Sequence, residues 1–128
     1  MKPMIELRRW GLLLDTLSQI ADLQRQLVVQ GQQPGAFVPD ELLDRWTNLF
    51  QGGRGLQTGG LPEITLSILV DFDYHLRQFV NAMPADTSNK EEYIRNDEAW
   101  RTIREMADLT LTRIALVSIP DQPLFSEN

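Results

Sequence analysis

Apolar positions along this chain recur at helical spacing in four runs, and none of the runs alternates in the two-residue period of a half-buried strand. From Pro3 to Gln30, Leu7, Trp10, Leu14, Leu17, Ala21 and Val28 fall in one column and Leu13, Ile20 and Leu27 in the next, a broad stripe that asks for burial. Gly31-Gln32-Gln33-Pro34-Gly35 then supplies a C-terminal glycine, a following proline and a polar turn. Val38-Pro39-Asp40-Glu41 reopens a helix, with proline in the first turn and carboxylates where the helix dipole favours them. Leu42, Leu43, Trp46, Leu49 and Phe50 give this shorter helix one apolar face, and Gly52-Gly53 ends it.

The third run, Leu61 to Met83, is the most apolar, with Leu61, Ile64, Ile68, Leu69, Phe72, Leu76, Phe79, Val80 and Met83 on a wide face between Pro62 and Pro84. The fourth is the longest. Ser88 and Glu91 read as a capping box, and Tyr93, Trp100, Ala107 and Ile114 recur every seven residues as far as Pro120. Ile103 and Val117 share the companion column with the polar Asn96 and Thr110, while Glu91/Arg95, Asp97/Arg101, Arg101/Glu105 and Arg104/Asp108 lace a solvated face. The expected fold is all-α: an irregular four-helix bundle over residues 3–30, 39–51, 61–83 and 89–119, with a short second helix, a glycine-rich loop and the third helix central. Residues 1–120 form a single helical domain and 121–128 a C-terminal tail carrying Leu124 and Phe125.

Composition narrows the chemistry. The 128 residues suit one domain with a core of its own, and the absence of cysteine excludes disulfides, thiolate catalysis and cysteine-ligated metals. The net charge is −6, and from Ala85 onward five basic residues face nine acidic ones. Such a balance argues against nucleic acid as a partner. No segment approaches the apolar length of a membrane span. Arg8-Arg9 before Trp10 to Leu14 has the look of a twin-arginine signal, but Asp15 closes the apolar run and helical spacing continues beyond it, so a helix of the mature protein and a cytoplasmic location are expected.

Four arrangements invite a chemical reading. Gln51 to Gly60 holds five glycines, yet it follows a helix rather than a strand, lacks a lysine at the next helix entrance and leads into Pro62-Glu63, whose carboxylate would repel phosphate. A linker is the expectation. Asp71 and His75 stand four apart on one helical face, the spacing of two metal ligands, and a metal would have to recruit carboxylates such as Glu63, Glu105 or Asp108; a histidine held by Asp71 beside the core is the plainer reading. Glu105 and Asp108 form a Glu-x-x-Asp pair downstream of Glu91, Glu92, Asp97 and Glu98, an acidic set that resembles the magnesium-holding clusters of all-α nucleotide pyrophosphatases. Those sites combine Glu-x-x-Glu with a later Glu-x-x-Asp, and the first pair is missing here. No Gly-x-Ser-x-Gly elbow accompanies the single histidine, so a Ser/His/Asp hydrolase is set aside.

The remaining evidence points to contacts. Ten aromatic residues, three of them tryptophan, crowd a small helical chain, and Trp and Tyr are enriched where proteins meet. Trp10 and Tyr93 are the candidate interface residues, and a heptad seam containing Asn96 and Thr110 suits a helix that pairs with its own copy. The expected function is that of a small acidic, non-enzymatic helical protein acting through protein–protein contacts as an adaptor, assembly factor or regulator, with no cofactor and as a homodimer. The alternatives are a magnesium-dependent enzyme using Glu105 and Asp108 and a ligand-binding bundle using His75.

Overall fold

The structure, a computed structural model, describes the backbone of residues 2–54, 56, 61–80 and 88–118 and the side chains from Arg8 onward within those ranges, Ser118 excepted. The expected connection 85–87, Met83 and the tail 121–128 lie outside the described residues. Among the described residues all regular structure is helical, but there are six α-helices where four were expected: α1 Lys2–Ala21, α2 Leu23–Gln32, α3 Val38–Phe50, α4 Glu63–Val80, α5 Lys90–Asn96 and α6 Glu98–Ser118.

The difference has one cause, repeated twice. Both long predicted helices break at an aspartate that starts a new helix inside the apolar stripe. Asp22 takes φ −103°, ψ 92°, and its carboxylate accepts the backbone N–H of Arg25 at 3.0 Å. Asp97 takes φ −67°, ψ 128° and accepts the N–H of Trp100 at 2.9 Å. A carboxylate at the N-cap satisfies a backbone donor that would otherwise be orphaned and meets the positive end of the new dipole. The two breaks are matched across the molecule, since α1 packs on α6 while α2 packs on α5.

Each break also leaves carbonyls open at the end of the preceding helix, and long polar side chains fill them. Gln26, 1% exposed, donates its amide to Gln19 O and Ile20 O at 2.7 Å each and accepts the indole N–H of Trp100 at 2.9 Å. Arg104 donates to Ile94 O at 3.1 Å, and burial lowers its pKa below the ordinary guanidinium value. Gln30 performs the same service for the turn after α2, donating to Ala36 O and accepting from Val38 N–H. Lys90 Nζ reaches Pro34 O at 2.9 Å and ties α5 to that turn.

One hydrophobic cluster runs through all six helices. Its widest helix–helix contact is α1 on α6, with α3 flanking α1 and α4 flanking α6. The third predicted helix, α4, is therefore not central; its apolar face is wider than the one groove it fills. Ile64 and Val80 are exposed, and the polar Asp73 takes a buried place instead. Trp46 of α3 stacks on Phe50 at 5.1 Å and meets Phe72 of α4 edge-on at 5.0 Å. Asp73 accepts the Trp46 indole N–H at 2.9 Å and Arg77 Nε at 2.8 Å, so its carboxylate is satisfied on both oxygens. That pairing decides the balance: a buried carboxylate without partners costs several kcal/mol (roughly), more than the ~0.5–1.5 kcal/mol an aromatic pair adds.

Smaller differences follow from local competition. Asn89, not Ser88, caps α5, accepting Glu92 N–H at 3.0 Å. Val28, expected in the buried stripe, is exposed because the break at Asp22 rotates α2 so that Gln26 and Gln30 face inward. After α3 the chain passes through positive φ at Gln51, Gly52 and Gly53. A Cβ on Gly53, at φ +88°, would stand 3.2 Å from Leu66, so glycine is needed there both for conformation and for space. Leu56, from within the glycine-rich run, is 2% exposed and joins the core. Arg9 closes the end of α3, donating to Leu49 O, Phe50 O and Arg54 O at 2.6 to 2.7 Å; this is the structural use of one of the two adjacent arginines.

Candidate interaction surface

An amphipathic helix buries one stripe and should present polar residues opposite. On α4 and α6 that rule is broken on neighbouring lines. Ile64 (58% exposed), Tyr74 (61%), Leu109 (57%) and Leu116 (60%) are among the most exposed large apolar side chains of the described chain. Single exposed apolar residues need no explanation, but these lie on two helices that pack against each other.

The placement follows from spacing and one contact. Arg113 Nη1 of α6 donates to Asp71 Oδ2 of α4 at 3.1 Å, bringing those two residues together at the surface. Leu109 and Leu116 stand four before and three after Arg113, on the same side of α6; Ile64 and Tyr74 stand seven before and three after Asp71, on the same side of α4. The exposed apolar residues thus bracket the ion pair from both helices. At the surface such a pair contributes only ~0–1 kcal/mol, so its effect is to fix the relative position of the two helices rather than to hold the fold.

His75 belongs to this face and not to the core edge where spacing put it; its side chain is 46% exposed. Its Nδ1 lies 2.8 Å from the Asp71 carbonyl oxygen, which can only accept, so Nδ1 is the donor of that hydrogen bond. The Asp71 carboxylate is 3.6 Å from Nδ1. Tyr74 meets the imidazole edge-on at 5.4 Å. Asp71 and His75 are brought together as expected, but with Arg113 as the third member rather than another acid.

Glu105 and Asp108 are exposed on α6, and among the described residues no group of three or more His, Cys, Asp or Glu is placed to hold a metal ion. Of the acids expected upstream of that pair, Asp97 has other work as the N-cap of α6.

Trp10 and Tyr93 are both half-buried against their own chain. Tyr93 meets Phe37 edge-on at 5.2 Å. Its phenol is pushed up from 10.0 to about 12, first by burial and then by the Asp97 carboxylate, which accepts its hydrogen bond and would repel the phenolate. Sequence reasoning missed Leu109 and Leu116. Their signal was present, two leucines seven apart and outside the Tyr93 register, on the face expected to be wholly polar.

No described helix is long and apolar enough to cross a membrane. Comparison of the chain with protein-family models, with curated proteins and with solved structures finds no match.

Proposed function

We propose that this is a cytoplasmic, non-enzymatic helical protein that works through protein–protein contacts, as an adaptor, assembly factor or regulator, and that it associates with its own copy. The observation that carries the reading is the α4–α6 face, where Ile64, Tyr74, Leu109 and Leu116 stay exposed around the Asp71–Arg113 pair. Apolar side chains with a few fixed charges among them make the centre of a contact patch, with the charges setting register. The centre of the patch pairs the acid Asp71 with the base Arg113, so it is compatible with a second copy of itself turned about a two-fold axis, where Asp71 of each copy can meet Arg113 of the other. The partly exposed Trp10 and Tyr93 extend the proposed contacts to α1 and α5.

Sedimentation velocity over a range of concentrations tests it. Wild-type protein is expected to sediment as a dimer, and the double substitution Leu109→Ser with Leu116→Ser to give a monomer with unchanged far-UV circular dichroism. Wild-type protein that stays monomeric at high concentration would refute the self-association, and a dimer untouched by the double substitution would refute the face.

A further inference from the structure

An open groove lies where α3 ends beside α4. It encloses about 420 Å³ and is lined by Thr47, Asn48, Gln51, Gly52, Arg54 and Arg77. Its lining side chains include two guanidinium groups and no carboxylate, in a protein whose net charge is −6. The volume falls within the range of small-molecule sites.

Donors are in surplus here. Arg77 uses Nε on Asp73, and its terminal nitrogens have no partner among the described residues. Arg54 contributes its carbonyl to Arg9, but its guanidinium has no partner among the described residues, and neither has the side-chain amide of Asn48. The Asp73 carboxylate, which Arg77 contacts, is occupied by Trp46 and Arg77. A helix C-terminus ordinarily repels anions through the negative end of its dipole; here Arg9 sits on the last carbonyls of α3 and offsets that end. The left-handed turn at Gln51 and Gly52 precedes Arg54, which lines the groove together with Arg77, and a Cβ on Gly52 would meet nothing within 4 Å, as expected for backbone that borders open space.

We infer that this groove binds the phosphate group of a small soluble molecule, held by Arg54 and Arg77 with Asn48 as a neutral donor. Guanidinium groups match the oxygens of phosphate in pairs. A carboxylate presents fewer acceptors to two forks, and the acidic balance of the chain disfavours a nucleic-acid backbone, which needs a broad basic surface. The inference is independent of the α4–α6 face.

The test is a titration of isotopically labelled protein with inorganic phosphate, followed by nuclear magnetic resonance at constant ionic strength with chloride as the balancing anion. Saturable shifts are expected at the Gly52 and Arg54 amides and at Arg77 Nε. Arg54→Gln, which removes a guanidinium without a partner among the described residues, should weaken the affinity about tenfold or more, the weight of a charge-assisted hydrogen bond, while Arg101→Gln, at an exposed position of α6, should leave it unchanged. Shifts that rise without saturation, or that are the same in Arg54→Gln, would overturn the site. Arg54-dependent binding to vesicles of phosphatidylcholine containing phosphatidic acid, without saturable binding of inorganic phosphate, would overturn the soluble ligand in favour of a lipid headgroup.

Discussion

Gln26 makes three hydrogen bonds from one buried side chain. Its amide closes two carbonyls at the end of α1 and holds the Trp100 indole of α6, all within a site that is 1% exposed. Replacing it by leucine keeps most of the volume but strands a buried donor and two acceptors, so a loss of about 2–4 kcal/mol is expected, at ~1–3 kcal/mol for each unsatisfied group with partial relaxation. Urea unfolding measures it, and a midpoint displaced by less than a few tenths of the wild-type value would show that water replaces the amide. Glutamine at this place was not legible as core, because hydropathy ranks it with the surface. Only the open carbonyls of a broken helix give a buried amide its partners.

Among the elements, the aspartate breaks decide the architecture. Asp97 is both the N-cap of α6 and the neighbour that keeps the Tyr93 phenol protonated. Asp97→Ala is expected to cost about 1 kcal/mol for the cap and to bring the Tyr93 titration down from about 12 toward its ordinary range, leaving the part due to burial. The sign for wild type follows from the raised value. The folded state holds the proton more tightly than the unfolded chain, so this contribution is intact below pH 10 and is lost as pH rises toward about 12. Ultraviolet absorbance of the tyrosinate against pH checks both statements, and an Asp97→Ala titration unchanged from wild type would remove Asp97 from the account. The helix starts and stops marked by proline and glycine were readable in advance, as at Pro39 and at Gly52-Gly53. Asp22 and Asp97 were not, since an aspartate in a continuing apolar stripe reads equally well as a solvated residue, and the stripe continues on both sides of each break.

At the scale of the whole molecule, a single cluster joins Leu13 and Leu17 of α1, Trp46 and Phe50 of α3, Phe72 of α4, Ile94 of α5 and Trp100 of α6. A chain of this size with one core is expected to unfold in one cooperative step. Trp46 and Trp100 are fully buried, so tryptophan fluorescence and far-UV circular dichroism should trace the same transition; separated midpoints would divide α2 and α5 from the rest as an independent unit.

The sequence by itself determined that the chain is helical, roughly where its long apolar runs begin and end, and that Trp46, Phe50, Phe72, Trp100, Ile103 and Ala107 are interior residues. These follow from local causes: spacing along one helix and the backbone limits of proline and glycine. Tertiary structure alone decided that the runs break at Asp22 and Asp97, that Gln26, Gln30 and Asp73 are buried while Ile64 and Val28 are not, and that α1 and α6, not α4, form the central pair. The same holds for the meeting of Asp71 with Arg113 and for the placing of Arg54 and Arg77 on one groove. Each depends on which groups lie opposite in space. A polar side chain goes inside only when the fold supplies its partners, and an apolar one stays outside when the groove beneath is already full.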